Sequence, residues 1–265
     1  MTKKKLAIID ADGFLFYAAW QYRKQCTMFG MRGAKSRLDK ILTNVFEKLG
    51  ISHYIGFFGE HGYDNFRYDW ATLKPYKGTR HSDEWQKYFK PGLKKHFTDR
   101  WNFIGVKGIE ADDAVIIAYH QFKDEYDIIM VGEDKDMKQL GEFTRYNPRT
   151  KKIDHITKDE GRKFFWSQML MGDSSDNIAG VEGIGKDNIA ITELQDMNNP
   201  SEEEMFNFVA SKYVNKYKED YMYYMVENYV LLKMLDEPAF DYPETVEPVV
   251  WKEVKQFKPK QLINL

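Results

Sequence analysis

"GDSSDNIAGVEGIGK", residues 172–186, sets two opposed chemistries side by side. Asp173 and Asp176 stand three apart, and a glycine turn ending in Lys186 follows. Carboxylates repel phosphate, whereas backbone N–H groups of a glycine turn at a helix start approach it. "GVEGIGK" (180–186) has the spacing Gly-x4-Gly-Lys of a nucleotide phosphate loop. Yet Asp187 stands where that loop needs a magnesium-binding hydroxyl, and no strand signal precedes it. A helix-hairpin-helix turn fits better. Val181 and Ile184 then point inward, Gly183 and Gly185 let the backbone reach a phosphate, and Lys186 adds a cation. An ordinary connection between helices is the bland alternative.

Upstream, strand and helix signals alternate. "LAII" (6–9) is a buried strand ending at Asp10; "HYIGFF" (53–58), "WNFIGV" (101–106) and "DIIMV" (127–131) are three more. Leu38, Ile41, Leu42, Val45, Phe46 and Leu49 keep helical spacing that Gly50 closes. Helices are also expected over 82–99 around Pro91, over 110–122 and over 134–140. Such alternation implies a mostly parallel α/β sheet with helices on both faces and a site beyond the carboxyl ends of its strands. After about residue 157 strand signals stop and the chain reads as helical, with Ser201 and Glu204 as a capping box. The chain divides into an α/β body (1–157), a helical region (158–235) and a Pro-containing tail (236–265) expected to be extended.

Four strand ends carry acids to one edge: Asp10, Glu60, then Glu110, Asp112 and Asp113, then Asp134 and Asp136. Asp173 and Asp176 close the site from the helical region. No Cys or His stands at zinc spacing, so the all-oxygen set suits Mg²⁺ or Mn²⁺. Acids in a first helical turn also cap and complement the macrodipole, which is the competing reading of Asp113 and Asp176. "DADG" (10–13) opens like a calcium loop, but the alternation stops there, which leaves Asp12 a bystander. The single Cys26 excludes an internal disulfide and fits a reducing cytoplasm. The longest apolar runs are too short to span a membrane, and the start does not read as a signal peptide. The net charge of −2 argues against a nucleic-acid partner only if the acids are not neutralised by bound cations.

"GIEADDAV", "GEDKDM" and "GDSSDNIAGVEGIGK" occur in the order and spacing of the 5′-nuclease family, which includes flap endonucleases, the 5′-nuclease domain of bacterial DNA polymerase I and phage 5′→3′ exonucleases. The chain resembles that family over roughly residues 5–235. The resemblance implies a PIN-like core, a helical gate near 61–90 and a duplex-binding helix-hairpin-helix that holds a K⁺ ion through the carbonyls of Val181 and Ile184. It implies two divalent cations, one held by Asp10, Glu60, Glu110 and Asp112, the other by Asp134, Asp136 and Asp173. Asp112 touches both, and Asp113 and Asp176 stand behind them. The family usually has Asp where Glu60 stands. "YKGTR" (76–80) resembles the family's basic stretch: Tyr76 would stack on a terminal base, and Lys77 and Arg80 would reach the scissile phosphate. Arg67 is a further phosphate-contact candidate.

The implied activity is 5′→3′ exonuclease and flap endonuclease cleavage of DNA with 5′ ends, flaps or nicks, and of RNA–DNA hybrids. The chain would act as a monomer in the cytoplasm, of a bacterial host if phage-encoded. The rivals are a non-catalytic duplex-binding protein and a PIN-type ribonuclease. The intact acid set argues against the first and the hairpin against the second. Tyr213, Tyr217 and Tyr221 recur every four residues, more in the manner of helix packing than of a stacking platform.

Overall fold

In the computed structural model, which describes residues 3–60, 65–235 and the backbone of 260–261, side-chain alternation along each strand decides which helix layer covers it. Strand β1 (Lys4–Asp10) sends Leu6 and Ile8 to one face of the sheet and Ala7 and Ile9 to the other, all fully buried. Both faces are therefore covered, as a parallel sheet requires.

Helices α1 (Asp12–Trp20), α2 (Met28–Leu49) and α4 (Glu84–Trp101) cover one face, and α5 (Ala111–Phe122) covers the other. The remaining elements of the body are β2 (His53–Gly59), α3 (Phe66–Trp70), β3 (Ile104–Val106), β4 (Tyr126–Val131), β5 (Phe143–Asn147) and β6 (Lys152–Ile156). The strand order is β3-β2-β1-β4-β5-β6, parallel except for the β5–β6 pair. The chain departs from β1 toward β2 on one side and returns to β4 on the other. The carboxyl ends of β1 and β4 thus flank the point where strand order reverses, the crevice in which such sheets place their sites.

The local signals hold where they are strong. Gly50, at φ +61°, closes α2, and Thr27 accepts from Gly30 N at its start, ten residues earlier than the periodic stretch begins. Pro91 lies inside α4. The short helix expected over 134–140 is a 3₁₀ turn over Asp136–Leu140. The expected gate is helical only in part. Between α3 and α4 the chain is irregular, because Glu227 accepts from the Thr72 and Leu73 amides and Pro75 cannot continue a helix. Residues 61–64 of that gate lie outside the described residues.

The helical region comprises α6 (Lys158–Met171), α7 (Ile189–Asp196), α8 (Glu202–Tyr217) and α9 (Tyr221–Leu232) around its own core of Trp166, Met169, Leu194, Met205 and Tyr213. The Ser201–Glu204 capping box starts α8. Met234 and Leu235 leave this core and enter that of the α/β body. Of the tail, residues 260–261 form β7 (Lys260–Gln261), antiparallel to His53 and Tyr54 of β2; the rest of the extended tail expected over 236–265 lies outside the described residues.

Candidate active site

Asp10 is the last residue of β1, and its Oδ1 accepts from Asp12 N at 3.1 Å. Glu110 caps α5, which places Asp112 and Asp113 in that helix's first turn; Asp113 accepts from Glu110 N at 3.1 Å. Asp134 follows β4 and accepts from Asp136 N at 2.8 Å. Each acid therefore stands at or close to a strand end or a helix start.

Electrostatics divide these acids into two sets. Among the described residues no basic side chain pairs with Asp10, Asp112, Asp134 or Asp136. Burial pushes all four carboxyls up, and mutual repulsion adds to it: Asp12 and Asp134 on Asp10, Glu110 and Asp113 on Asp112, Asp134 on Asp136. Asp136 is raised to about 7. The other set is neutralised by cations. Lys77 bonds to Glu110 and lies 3.7 Å from Asp176, and Arg80 bonds to Asp176. Lys135, between the two acids of "DKD", reaches Asp173 at 2.6 Å. Burial would raise Glu110 and Asp173 as well. The charges of Arg67 and Lys77 hold Glu110 below the usual carboxylate range, and Lys135 and Ser175 do the same for Asp173.

A buried group of like charges without cations is what a hard divalent ion relieves, and an all-oxygen donor set is what it takes. Among the described residues the carboxylates do not close into a ready cage of three or more donors. Lys77, Arg80 and Lys135 instead draw Glu110, Asp176 and Asp173 toward themselves.

Other candidates stand differently from the expectation. Arg67 is not a surface cation: it is 1% exposed, forms a two-bond fork with Asp113 at 2.6 and 2.8 Å, and donates to the carbonyls of Leu231 and Lys233. Buried and with four of its five N–H donors used inside the protein, it is not placed to meet a phosphate. Asp113, 0% exposed, is committed to that fork and to the α5 cap. The Tyr76 ring is buried edge-on to Tyr68, so it presents no open face to a base; its hydroxyl bridges Glu110 (3.1 Å) and Asp176 (3.0 Å). Glu60 leans across β3 toward Gly105 and pairs with Lys107 at 3.2 Å. Asp12, set aside in the sequence, does face the site. Its carboxylate accepts from Gly59 N at 3.2 Å, and burial raises it, with a contribution from Glu110. Only the fold brings α1 back against the end of β2.

The opening stretch closes on itself. Gly172 (φ +70°) and Gly180 (φ +62°) pass so near that a Cβ on either would lie about 2.2 Å from the other strand of the loop. Asp173 and Ile178 exchange backbone hydrogen bonds at 3.0 and 2.8 Å, which presents Asp173 and Asp176 together. Beyond it Val181 is buried and Ile184 packs against the helical core, while Gly183 (φ +89°), Gly185 and Lys186 are exposed. Among the described residues nothing accepts from the amides of Gly183, Gly185 or Lys186. Asn188 caps α7. Tyr213 donates to the Met169 carbonyl at 2.6 Å, and the Tyr217 hydroxyl joins the Gly180 carbonyl to the Glu182 amide. These tyrosines thus pack and pin the turn.

No family model matches the chain. It is 30% identical over 199 residues to the 5′-3′ exonuclease of Mycoplasmopsis pulmonis, covering 69% of this chain and 64% of that protein. It is 27% identical over 216 residues to DNA polymerase I of Streptococcus pneumoniae, covering 70% of this chain and 23% of the polymerase. The chain thus spans less than two thirds of these relatives. A structure of the T5 5′-exonuclease with bound zinc ions superposes with a TM-score of 0.64 at 18% identity, over 96% of this chain and 99% of that one. Among the described residues no helix is long and apolar enough to cross a membrane.

Proposed function

We propose that this chain is a member of the 5′-nuclease family, a divalent-metal-dependent 5′→3′ exonuclease and flap endonuclease that hydrolyses phosphodiesters of DNA, and of RNA primers on DNA. The observation that supports it most is the row of four carboxylates that, among the described residues, have no paired cation, at strand ends and helix starts beside a turn whose amides have no acceptor there. When bound, divalent cations would supply the Lewis acidity for phosphodiester hydrolysis. Asp10, Glu110 and Asp112 would hold one, and Asp134, Asp136 and Asp173 the other. Glu60 pairs with Lys107.

Lys77 and Lys135 pair with Glu110 and Asp173, acids that cations would claim, and Arg80 pairs with Asp176. Lys77 and Arg80 would offer donors to a phosphate at the reacting bond, where fixed positive charge favours the transition state. Gly183, Gly185 and Lys186 grip a phosphate of neighbouring duplex without reading bases. The carbonyls of Val181 and Ile184 would hold a K⁺ ion at that turn; the Val181 oxygen accepts from Ile184 N and keeps a second lone pair. The chain acts as a monomer on 5′ ends, flaps and nicks.

The test is cleavage of end-labelled flap, nicked and RNA-primed duplexes. Products are expected with Mg²⁺ or Mn²⁺, weakly with Ca²⁺, and not in excess chelator. Undiminished cleavage in chelator overturns the reading.

A further inference from the structure

The chain leaving α9 is gripped from two sides. On one, Arg67 donates to the carbonyls of Leu231 (3.1 Å) and Lys233 (3.0 Å), and Leu235 N donates to Asp113 Oδ1 (3.0 Å). On the other, Gln139 Nε2 donates to the Leu232 carbonyl (2.8 Å) and Gln139 Oε1 accepts from Met234 N (3.1 Å). Each grip continues to a residue of the proposed site, one to the Glu110 backbone and the other to the Asp136 carboxylate. Asp113 accepts from the backbone of Glu110, ahead of Asp112. Gln139 Nε2 donates to Gln168 Oε1 (2.8 Å), and Gln168 Nε2 donates to Asp136 Oδ1 (2.7 Å). Arg67, Asp113, Gln139 and Gln168 are all buried.

We infer that residues 231–235 form a strap that sets both carboxylate groups, with Gln139 and Gln168 as positioning residues for Asp136 and the Arg67–Asp113 pair for Glu110 and Asp112. The polarity of the glutamine relay follows from the strap. The Met234 amide can only donate, so it fixes the Gln139 oxygen toward itself and the Gln139 nitrogen toward Gln168. Gln168 must then receive on its oxygen and present its N–H group to Asp136. A backbone amide in the strap thereby fixes the N–H group that holds Asp136 Oδ1 in place. Buried groups that orient a metal ligand affect affinity about 10–100-fold without touching the metal.

The inference rests on the metal reading above, and one experiment separates the two. Mn²⁺ binding is measured by calorimetry on the full chain and on Gln168→Met and Gln139→Met. Each variant should weaken one class of Mn²⁺ by about 10-fold or more and leave the other unchanged, with the double variant no worse than Gln168→Met. On a labelled flap, kcat should fall with little change in KM. A folded Gln168→Met with unaltered Mn²⁺ affinity overturns the strap, even if its melting temperature falls. Should Gln168→Met not fold, Gln139→Met decides alone. Absence of Mn²⁺ binding by the unaltered chain overturns the metal reading. Amide exchange of the metal-free protein then judges the strap: Gln139→Met must accelerate exchange at Met234, and no change overturns it.

Discussion

Asp136 titrates near pH 7 because burial strips its hydration and Asp134 repels its charge. Asp10, Asp112 and Asp134 shift in the same direction for the same reason. A folded chain with raised carboxylates holds protons that the unfolded chain has lost. Its stability from these groups is present below the ordinary carboxylate range and disappears as pH rises toward 7. Glu110 and Asp173, shifted down, carry the opposite sign, but that contribution is lost only in acid. Metal-free protein should therefore melt at lower temperature at about pH 7.5 than at about pH 5.5, and Mn²⁺ should remove the difference. Scanning calorimetry that shows melting temperature rising over this interval contradicts the charge distribution described. Arg67 calls for a different assay. Arg67→Ala leaves Asp113 charged and buried, at a cost of about 3–5 kcal/mol measured by urea unfolding. Lys77→Ala keeps the fold and should lower single-turnover cleavage on the order of 10²-fold; a near-unaltered rate assigns Lys77 to balancing Glu110 and Asp176 only.

At the scale of elements, the α6–α7 turn should fail separately from the acids beside it. Gly185→Val with Lys186→Ala removes the open approach and the cation. Binding to all duplexes should weaken alike, and the slope of log K against log salt should fall by about one per lost phosphate contact. Tyr217→Phe cuts the link between Gly180 and Glu182 and should weaken duplex binding roughly 5-fold, at about 1 kcal/mol for the hydrogen bonding lost. Mn²⁺ affinity should stay unchanged; a parallel loss of both would make turn and acids one unit. These elements differ in how far they are legible from residues alone. The strand ends and their acids are legible because alternation and terminal position are local properties. Helix α1 is not: "FLFYAAW" is apolar on every side and carries no 3.6-residue signal. Glu60 reads as a site acid because it follows β2, yet its side chain turns to Lys107, while Asp12 is returned to Gly59 by a helix that the pattern conceals. Arg67 reads as a phosphate contact because its partner Asp113 is 46 positions away. Glutamines 139 and 168 have no periodic signature at all.

Across the whole molecule, Arg67, Gln139 and Lys135 tie the helical region to the α/β body through buried or site-facing contacts. The two should unfold together. Calorimetric and van't Hoff enthalpies should agree, and two resolved transitions would show that the ties are weak. A separate consequence follows from unequal strand lengths. Among the described residues β3 pairs only with Phe57–Gly59, and the earlier half of β2 has no neighbour on that side except β7, at His53 and Tyr54. An uncovered row of donors and acceptors is a template for any other extended chain. Deleting residues 260–265 should leave chemistry at the opposite end of the strands intact, yet make the apparent mass by light scattering rise with concentration. If the shortened chain stays monodisperse, His53 and Tyr54 need no cover. If it does not, two residues at the far end of the sequence act as a selvedge, the bound edge that keeps one molecule's weave from running into the next.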